Sequence, residues 1–372
     1  MATTQPRTAV VQDWFLPGGG SERVAVELAR LLPDATVYTS FFDRSAWGDA
    51  IDVRRVRTWP LQRLLGPTPH YRALLPLYPA WFSALDLRAY DLVISNSTAF
   101  AKAVRTRSGA LHVGYIHTPM RYAWDLDRYL AGASMSAASR LAARALAPAL
   151  RRWDVATAHR PDTLVASTKA VRARIQRAWG RDAEVIHPPV EVEEITLSTR
   201  DDGYLLVAAR MVAYRRIDLV VEAATRLGRE LVVVGAGPED RRLRSIAGPS
   251  VRFVGRVDRP ILLDLFERCH AYVVPGEEDF GIAPVEAMAA GKPVVAFRAG
   301  GALETVVDGV TGVFFDRPET DALVDAIEHV DRLVVDPSAL RAHAERFDVT
   351  VFRQRWRELL ARLGVDPSLY AA

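Results

Sequence analysis

Cysteine and lysine are nearly missing from this chain of 372 residues, which has one Cys, Cys269, and only three Lys, Lys102, Lys169 and Lys292, among its 48 basic residues. A lone cysteine excludes an intramolecular disulfide and suits a reducing compartment. No apolar run approaches the roughly 20 residues that span a bilayer. The opening MATTQPRTAVVQDW has no long apolar stretch behind a basic start, so a cytoplasmic, soluble chain is expected. The length exceeds that at which a single core stops growing, which predicts two domains. At 49% hydrophobic residues there is material for two cores.

The net charge of +3 hides an asymmetry. Residues 1–186 carry 25 Lys+Arg against 15 Asp+Glu, or +10, and the remainder carries 23 against 30, or −7. A basic half suits nucleic acid, an anionic membrane surface or a phosphorylated substrate. A solvated, Arg-rich surface explains the same count.

Short β-branched runs alternate with helical patterns in both halves. TAVVQDW, ATVYTSFF, DLVISN and LHVGYIH stand in the first half, and YLLVAAR, ELVVVG, VRFVG, AYVVPG and KPVVAF in the second. Strands separated by helices predict parallel sheets, hence two Rossmann-like, doubly wound α/β domains facing a cleft. HPPVEVEEITLSTRDDG has the composition of a connector. The boundary is therefore placed at His187, with domains 1–186 and 187–372 and a last helix that can pack back on the first. Residues 58–87 break the pattern, mixing aromatics and Leu with five prolines. They read either as a buried insertion or as an apolar rim for a lipid-bearing substrate. SRLAARALAPALRRW adds Arg140, Arg144, Arg151 and Arg152 to a Leu/Ala face, as a surface helix or a membrane-lying one.

Ligands of such sheets sit beyond the carboxyl ends of the strands. Three glycines, Gly18, Gly19 and Gly20, follow the first strand and precede a helix, so bare amides can face an anion. ELVVVGAGPEDRRL has Asp240 where the dinucleotide fingerprint needs its third glycine, which argues against a nicotinamide cofactor. Arg210 ends a strand and Arg215 and Arg216 follow, cations placed to grip a diphosphate. In PGEEDFGIAPVEAMAAGKPVVAF, the amides of Phe280, Gly281 and Ile282 can meet phosphate at a helix start. Glu286 falls on the apolar face with Val285, Met288 and Ala289, where an unpaired carboxylate is costly. Glu278 and Glu286 enclose seven residues, about two turns if the helix extends that far.

These elements, together with the Gly-Gly-x-Glu-Arg turn at residues 19–23 and AGGALETVVDGVTGVFF, make the chain resemble retaining glycosyltransferases of family 4, of the two-Rossmann-domain type. HTPMRYAWD, residues 117–125, looks most like the bacterial mannosyltransferase branch. The resemblance implies a nucleotide-sugar in the C-terminal domain, GDP-mannose first and UDP-hexoses next, and a glycan or polyprenyl-linked acceptor in the N-terminal one. Nucleic acid is not an expected partner, and neither a metal nor a resident cofactor is expected. It further implies that Glu286 binds the ribose hydroxyls and Glu278 faces the transferred sugar. Arg210 and Arg215 take the diphosphate, helped by the amides of Gly19 and Gly20. His117 lines the sugar pocket, and Val257 lies near the base. Two departures stand out: Arg215, or Arg216, occupies the place of the family's usual lysine, and Gln12-Asp13-Trp14 replaces His-Asp-Trp, with Asp13 still able to point into the cleft. A nucleotide-sugar epimerase and a non-catalytic nucleotide-sugar-binding protein are the rival readings. The expected location is cytoplasmic, on the inner face of the cell membrane if the basic half attaches there.

Overall fold

The computed structural model describes residues 6–67, 74–131 and 136–370. It divides into two compact units: Met1–Asp125, Ala143–Pro189 and Thr350–Ala372 form the first, and Leu126–Ala142 with Val190–Val349 form the second. The chain thus passes into the second unit at Pro189–Val190, three residues beyond the cut expected from composition, and the last helix belongs to the first unit.

The first unit holds a parallel sheet of strands β1 (Thr8–Gln12), β2 (Thr36–Thr39), β3 (Val56–Thr58), β4 (Leu92–Ser97), β5 (Leu111–Ile116), β6 (Thr163–Ala166) and β7 (Glu184–Val185). They lie in the order β3-β2-β1-β4-β5-β6-β7. Every residue of β1 is buried, as a central parallel strand covered on both faces requires. Alternate side chains go to opposite faces: Val10 packs with Leu28, Ile94 and Trp356, while Ala9 and Val11 pack with Phe41, Tyr78 and Phe82. Helix Gly20–Leu31 contributes Val24, Leu28 and Leu31, one stripe at helical spacing. The C-terminal helix Val349–Arg362 presses Phe352, Trp356, Leu359 and Leu360 into the same core, and its Arg353 pairs with Glu27 at 2.6 Å.

The second unit holds β8 (Leu205–Ala208), β9 (Leu231–Val234), β10 (Val251–Gly255), β11 (Ala271–Val274), β12 (Val294–Phe297) and β13 (Gly312–Phe315), ordered β10-β9-β8-β11-β12-β13 and parallel throughout. Leu206 points to one core and Leu205 and Val207 to the other. The order reverses between β1 and β4 in the first sheet and between β8 and β11 in the second. In open α/β sheets the crevice at such a reversal is where ligands bind.

The 58–87 segment splits in two. Tyr78 and Phe82 are fully buried and Trp59 stacks on Trp81 at 5.2 Å, so this part is core. Leu64, Leu65 and Leu77 remain exposed. Residues 68–73 of that segment lie outside the described residues.

Candidate functional site

At the reversal point of the second sheet, the turn after β8 carries Arg210, exposed, and then Arg215 and Arg216, both half-buried. Arg215 forms an ion pair with Glu278 from the loop after β11. Arg216 turns away to Asp218, Nε to Oδ1 3.2 Å, and is held at φ 52°, the one positive φ outside glycine among the described residues. Of the two cations left open by the sequence, Arg215 is therefore the one brought to the glutamate.

Gly276 lets the two loops meet. A Cβ there would fall 2.7 Å from the Arg215 carbonyl oxygen and 2.8 Å from that of Tyr214, so only glycine permits the approach. Beyond it, the Glu278 carbonyl accepts the Gly301 amide at 2.9 Å, which anchors the glutamate's backbone to the loop after β12. Gly281, at φ 88°, then turns the chain into helix Ile282–Ala289. The E-x7-E spacing is thus not two turns of one helix. Glu286 is on the helix, whereas Glu278 lies four residues before its first residue, in the loop ahead of the left-handed Gly281, and pairs with Arg215.

Phe280 places its ring in the core, 5.6 Å from Phe347, so only its backbone can serve a ligand. The amides of Gly281 and Ile282 stand at the helix N-terminus, where the dipole favours an anion. Val257 is half-buried between β10 and helix Arg259–Arg268 and packs against the core containing Val285 and Met288. The G-x-G-x-x-D element has a packing role: side chains at Gly235 or Gly237 would collide with the carbonyls of Ala209 and Met211.

Glu286 is 3% exposed, as its apolar face demanded, and its partner was not legible in the sequence. Arg259, 27 residues earlier and at the first position of helix Arg259–Arg268, donates Nη1 to Glu286 Oε1 at 2.5 Å.

At the reversal point of the first sheet the arrangement differs. Asp13, expected to be able to point into a cleft, is fully buried and fully engaged. Its Oδ2 accepts from the Thr98 amide and hydroxyl and the Ala99 amide at 2.7, 2.6 and 2.9 Å, and its Oδ1 from the Phe100 and Ala101 amides at 2.9 and 2.6 Å. It ties the end of β1 to the loop after β4 and is a structural carboxylate.

Next to it, His117 Nε2 donates to Asn96 Oδ1 at 2.8 Å, and Asn96 Nδ2 donates to Gln12 Oε1 at 2.6 Å and to the Ser21 carbonyl at 2.7 Å. The register pairs Gln12 with Asn96 and Ser97 with Ile116, so the ends of three adjacent strands bring His117 and the glycine turn into one web. The sequence reading missed Asn96, whose only signal was its place at the end of an apolar strand.

Gly19 is half-buried and Gly20 exposed at the start of helix Gly20–Leu31. A Cβ at Gly19 would fall on the Glu22 carboxylate, so a larger residue there requires that side chain to move. Burial pushes the Glu22 carboxyl up to about 7, although it accepts from the Ser21 hydroxyl at 2.7 Å. Below this web, Lys102 Nζ contacts Asp154 Oδ1 at 2.6 Å, both buried, while the indoles of Trp124 and Trp179 donate to Asp154 Oδ2 at 2.7 and 2.8 Å. Burial also pushes the Cys269 thiol up to about 12, which leaves it unreactive near neutral pH.

Both sheets place helix starts and polar groups at their reversal points, the layout of the GT-B fold. Two family models match in tandem: residues 18–194 match the family described as Glycosyltransferase Family 4, and residues 191–342 match Glycosyl transferases group 1. Among curated relatives it is similar to D-inositol 3-phosphate glycosyltransferase of Mycobacterium tuberculosis, 28% identical over 202 residues, covering 47% of this chain and 42% of that protein. The chain thus matches less than half the length of such relatives. Among solved structures it is similar to Anabaena HepE in complex with UDP, with TM-score 0.72 and 20% identity over 96% of this chain and all of that one. It is likewise similar to sucrose-phosphate synthase from Thermosynechococcus elongatus, with TM-score 0.70, 19% identity, and coverage of 96% and 99%. These structural likenesses establish the fold.

Proposed function

We propose that the chain is a retaining hexosyltransferase that moves a sugar from a nucleotide-sugar to a glycan or polyprenyl-linked acceptor in cell-envelope synthesis. The observation that carries this reading is the pair of Arg-gripped glutamates, Glu278 with Arg215 and Glu286 with Arg259, flanking a helix N-terminus at the reversal point of the second sheet. Glu286 takes the ribose, Arg210 and Arg215 the diphosphate, and Glu278 the transferred sugar. Val257 lies near the base. As the sugar–phosphate bond lengthens, negative charge grows on the diphosphate, and fixed cations and amides stabilise it. The leaving phosphate helps take the acceptor proton in a same-face attack. In the first unit, the turn carrying Gly19 and Gly20, with His117, serves the sugar and acceptor side.

Similar structures were solved with UDP, with UDP-glucose and with UDP and GlcNAc. UDP-hexoses and GDP-mannose are therefore the donors to test. The assay incubates the full chain with each nucleotide-sugar, with and without an acceptor-lipid extract. Nucleotide release that depends on acceptor supports the transferase. Conversion of the donor without acceptor, to an epimer or by hydrolysis, favours the epimerase, and tight binding with no turnover favours the binding protein.

The basic first half is proposed to meet a lipid-linked acceptor at an anionic membrane surface. No helix among the described residues is long and apolar enough to cross a membrane. Exposed Leu64, Leu65 and Leu77, with Arg63, Arg144, Arg151 and Arg152, supply the apolar and cationic groups. Each basic residue near such a surface contributes on the order of 1 kcal/mol. Sedimentation with anionic liposomes is expected at low salt and not at high salt; a protein that stays in the supernatant at both would sink the membrane reading.

A further inference from the structure

The pairing of Arg259 with Glu286 leaves a guanidinium group half used. Nη1 is committed to Glu286 Oε1 at 2.5 Å. Nη2 is shielded from solvent and has no hydrogen-bond partner among the described residues; the nearest carboxylate oxygen paired with it, Glu194 Oε2, is 3.9 Å away. A buried guanidinium N–H without an acceptor is costly, and binding sites are where such costs are retained. The group is held in place: Arg259 opens helix Arg259–Arg268, behind Val257 and the end of β10, and its partner Glu286 is fixed on helix Ile282–Ala289 with a side chain 4% exposed. Guanidinium and carboxylate together make one rigid donor–acceptor edge. A vicinal diol presents the complement, since each hydroxyl can both donate and accept.

We propose that Arg259 is a second ribose-reading residue of the donor site: it fixes Glu286 as the acceptor for one ribose hydroxyl and presents Nη2–H to the oxygen of the other. This rests on the assignment of Glu286 to the ribose. Arg259 then contributes to discrimination against donors that lack a 2′- or 3′-hydroxyl, because without that oxygen a buried donor stays unpaired. Lysine in its place keeps a charge for Glu286 but has no planar second arm.

The test measures dissociation constants of UDP and GDP and of their 2′-deoxy and 3′-deoxy counterparts for the wild-type chain and for Arg259→Lys, Arg259→Ala and Glu286→Gln. Thermal midpoints of each variant are recorded alongside. The wild type is expected to disfavour at least one deoxy form by about tenfold or more. Arg259→Lys is expected to keep the wild-type midpoint while that ratio falls most of the way to one, a result that a purely structural role would not produce. Arg259→Ala loses the same ratio and weakens the ribonucleotide further, since Glu286 is left without its cation. Wild-type ratios retained in both Arg259 variants would overturn the inference. If Glu286→Gln alone collapses the ratio, the donor reading stands and the role of Arg259 does not. Failure of the wild type to bind any of these nucleotides would overturn both.

Discussion

The two sheets have the same parallel grammar and reverse order at the same kind of point, yet they treat charge there in opposite ways. In the first unit the polar groups at the reversal are satisfied by the protein itself: Asp13 accepts five hydrogen bonds, and His117, Asn96 and Gln12 form one web. In the second, two glutamates are gripped by arginines, and each arginine keeps a buried nitrogen without a hydrogen-bond partner, Nε of Arg215 and Nη2 of Arg259. A closed network sets backbone shape. Exchangeable ion pairs with spare donors suit a charged ligand that arrives and leaves. The first reversal is accordingly a scaffold that presents glycine amides and His117, and the second is the one proposed to meet a diphosphate.

The contrast predicts loss of stability from one site and loss of binding from the other. The largest effect on folding is expected from Lys102→Met, which leaves the buried Asp154 carboxyl without its cation. Denaturant unfolding should show a cost of about 3–5 kcal/mol. Asp13→Asn removes one of the two carboxylate acceptors for the amides after β4 and should cost about 3 kcal/mol, with nucleotide affinity unchanged in the protein that remains folded. If Asp13→Asn instead folds normally and abolishes nucleotide binding, the scaffold assignment is wrong.

Glu22 gives a pH-dependent effect that reaches a comparable size only above pH 7. Burial favours its neutral form, so that stabilisation is complete below the ordinary carboxyl value of 4.5 and is lost as pH rises through about 7. Glu22→Gln should therefore match the wild type in stability near pH 4.5 and exceed it above pH 7 by up to about 3 kcal/mol. Equal pH profiles of unfolding for the two proteins would refute this. Smallest of all is the effect expected of a chelator: Arg210 and Arg215 are proposed to balance the diphosphate, so EDTA should leave turnover nearly unchanged. Activity lost in EDTA and restored by magnesium or manganese would contradict that assignment.

Much of the fold was readable because periodicity and strand order are local signals. VVQDW, DLVISN and AYVVPG are apolar runs ended by polar or glycine residues, and each is a strand beside a reversal point. The burial of Glu286 was also readable, since its neighbours on the helix are apolar. Its partner was not, because Arg259 belongs to a different helix and nothing in one sequence ties the two together. The position of Glu278 stayed open for a related reason: the count from Glu278 to Glu286 fits two helical turns only if the helix reaches that far, and Gly281 adopts a left-handed φ with the helix starting at Ile282. Asp13 looked available because a sequence shows a carboxylate at a strand end without showing the amides that converge on it from the loop after β4. The 58–87 segment was ambiguous for the opposite reason, since aromatic and proline composition fits both the buried Tyr78 and Phe82 and the exposed Leu64.

The second unit's two glutamates are proposed to divide the work on a nucleotide-sugar, Glu286 holding its ribose and Glu278 facing its sugar while sharing Arg215 with its diphosphate. The direct measurement is a titration of UDP and GDP into the wild type, Glu278→Gln and Glu286→Gln, paired with turnover of the matching nucleotide-sugar. Glu286→Gln should weaken the bound nucleotide by about tenfold or more. Glu278→Gln should bind it as well as the wild type or several-fold tighter, since a carboxylate no longer competes for Arg215, while turnover falls by about 100-fold. Equal losses of affinity in both variants, or unchanged turnover in Glu278→Gln, would contradict this division of roles.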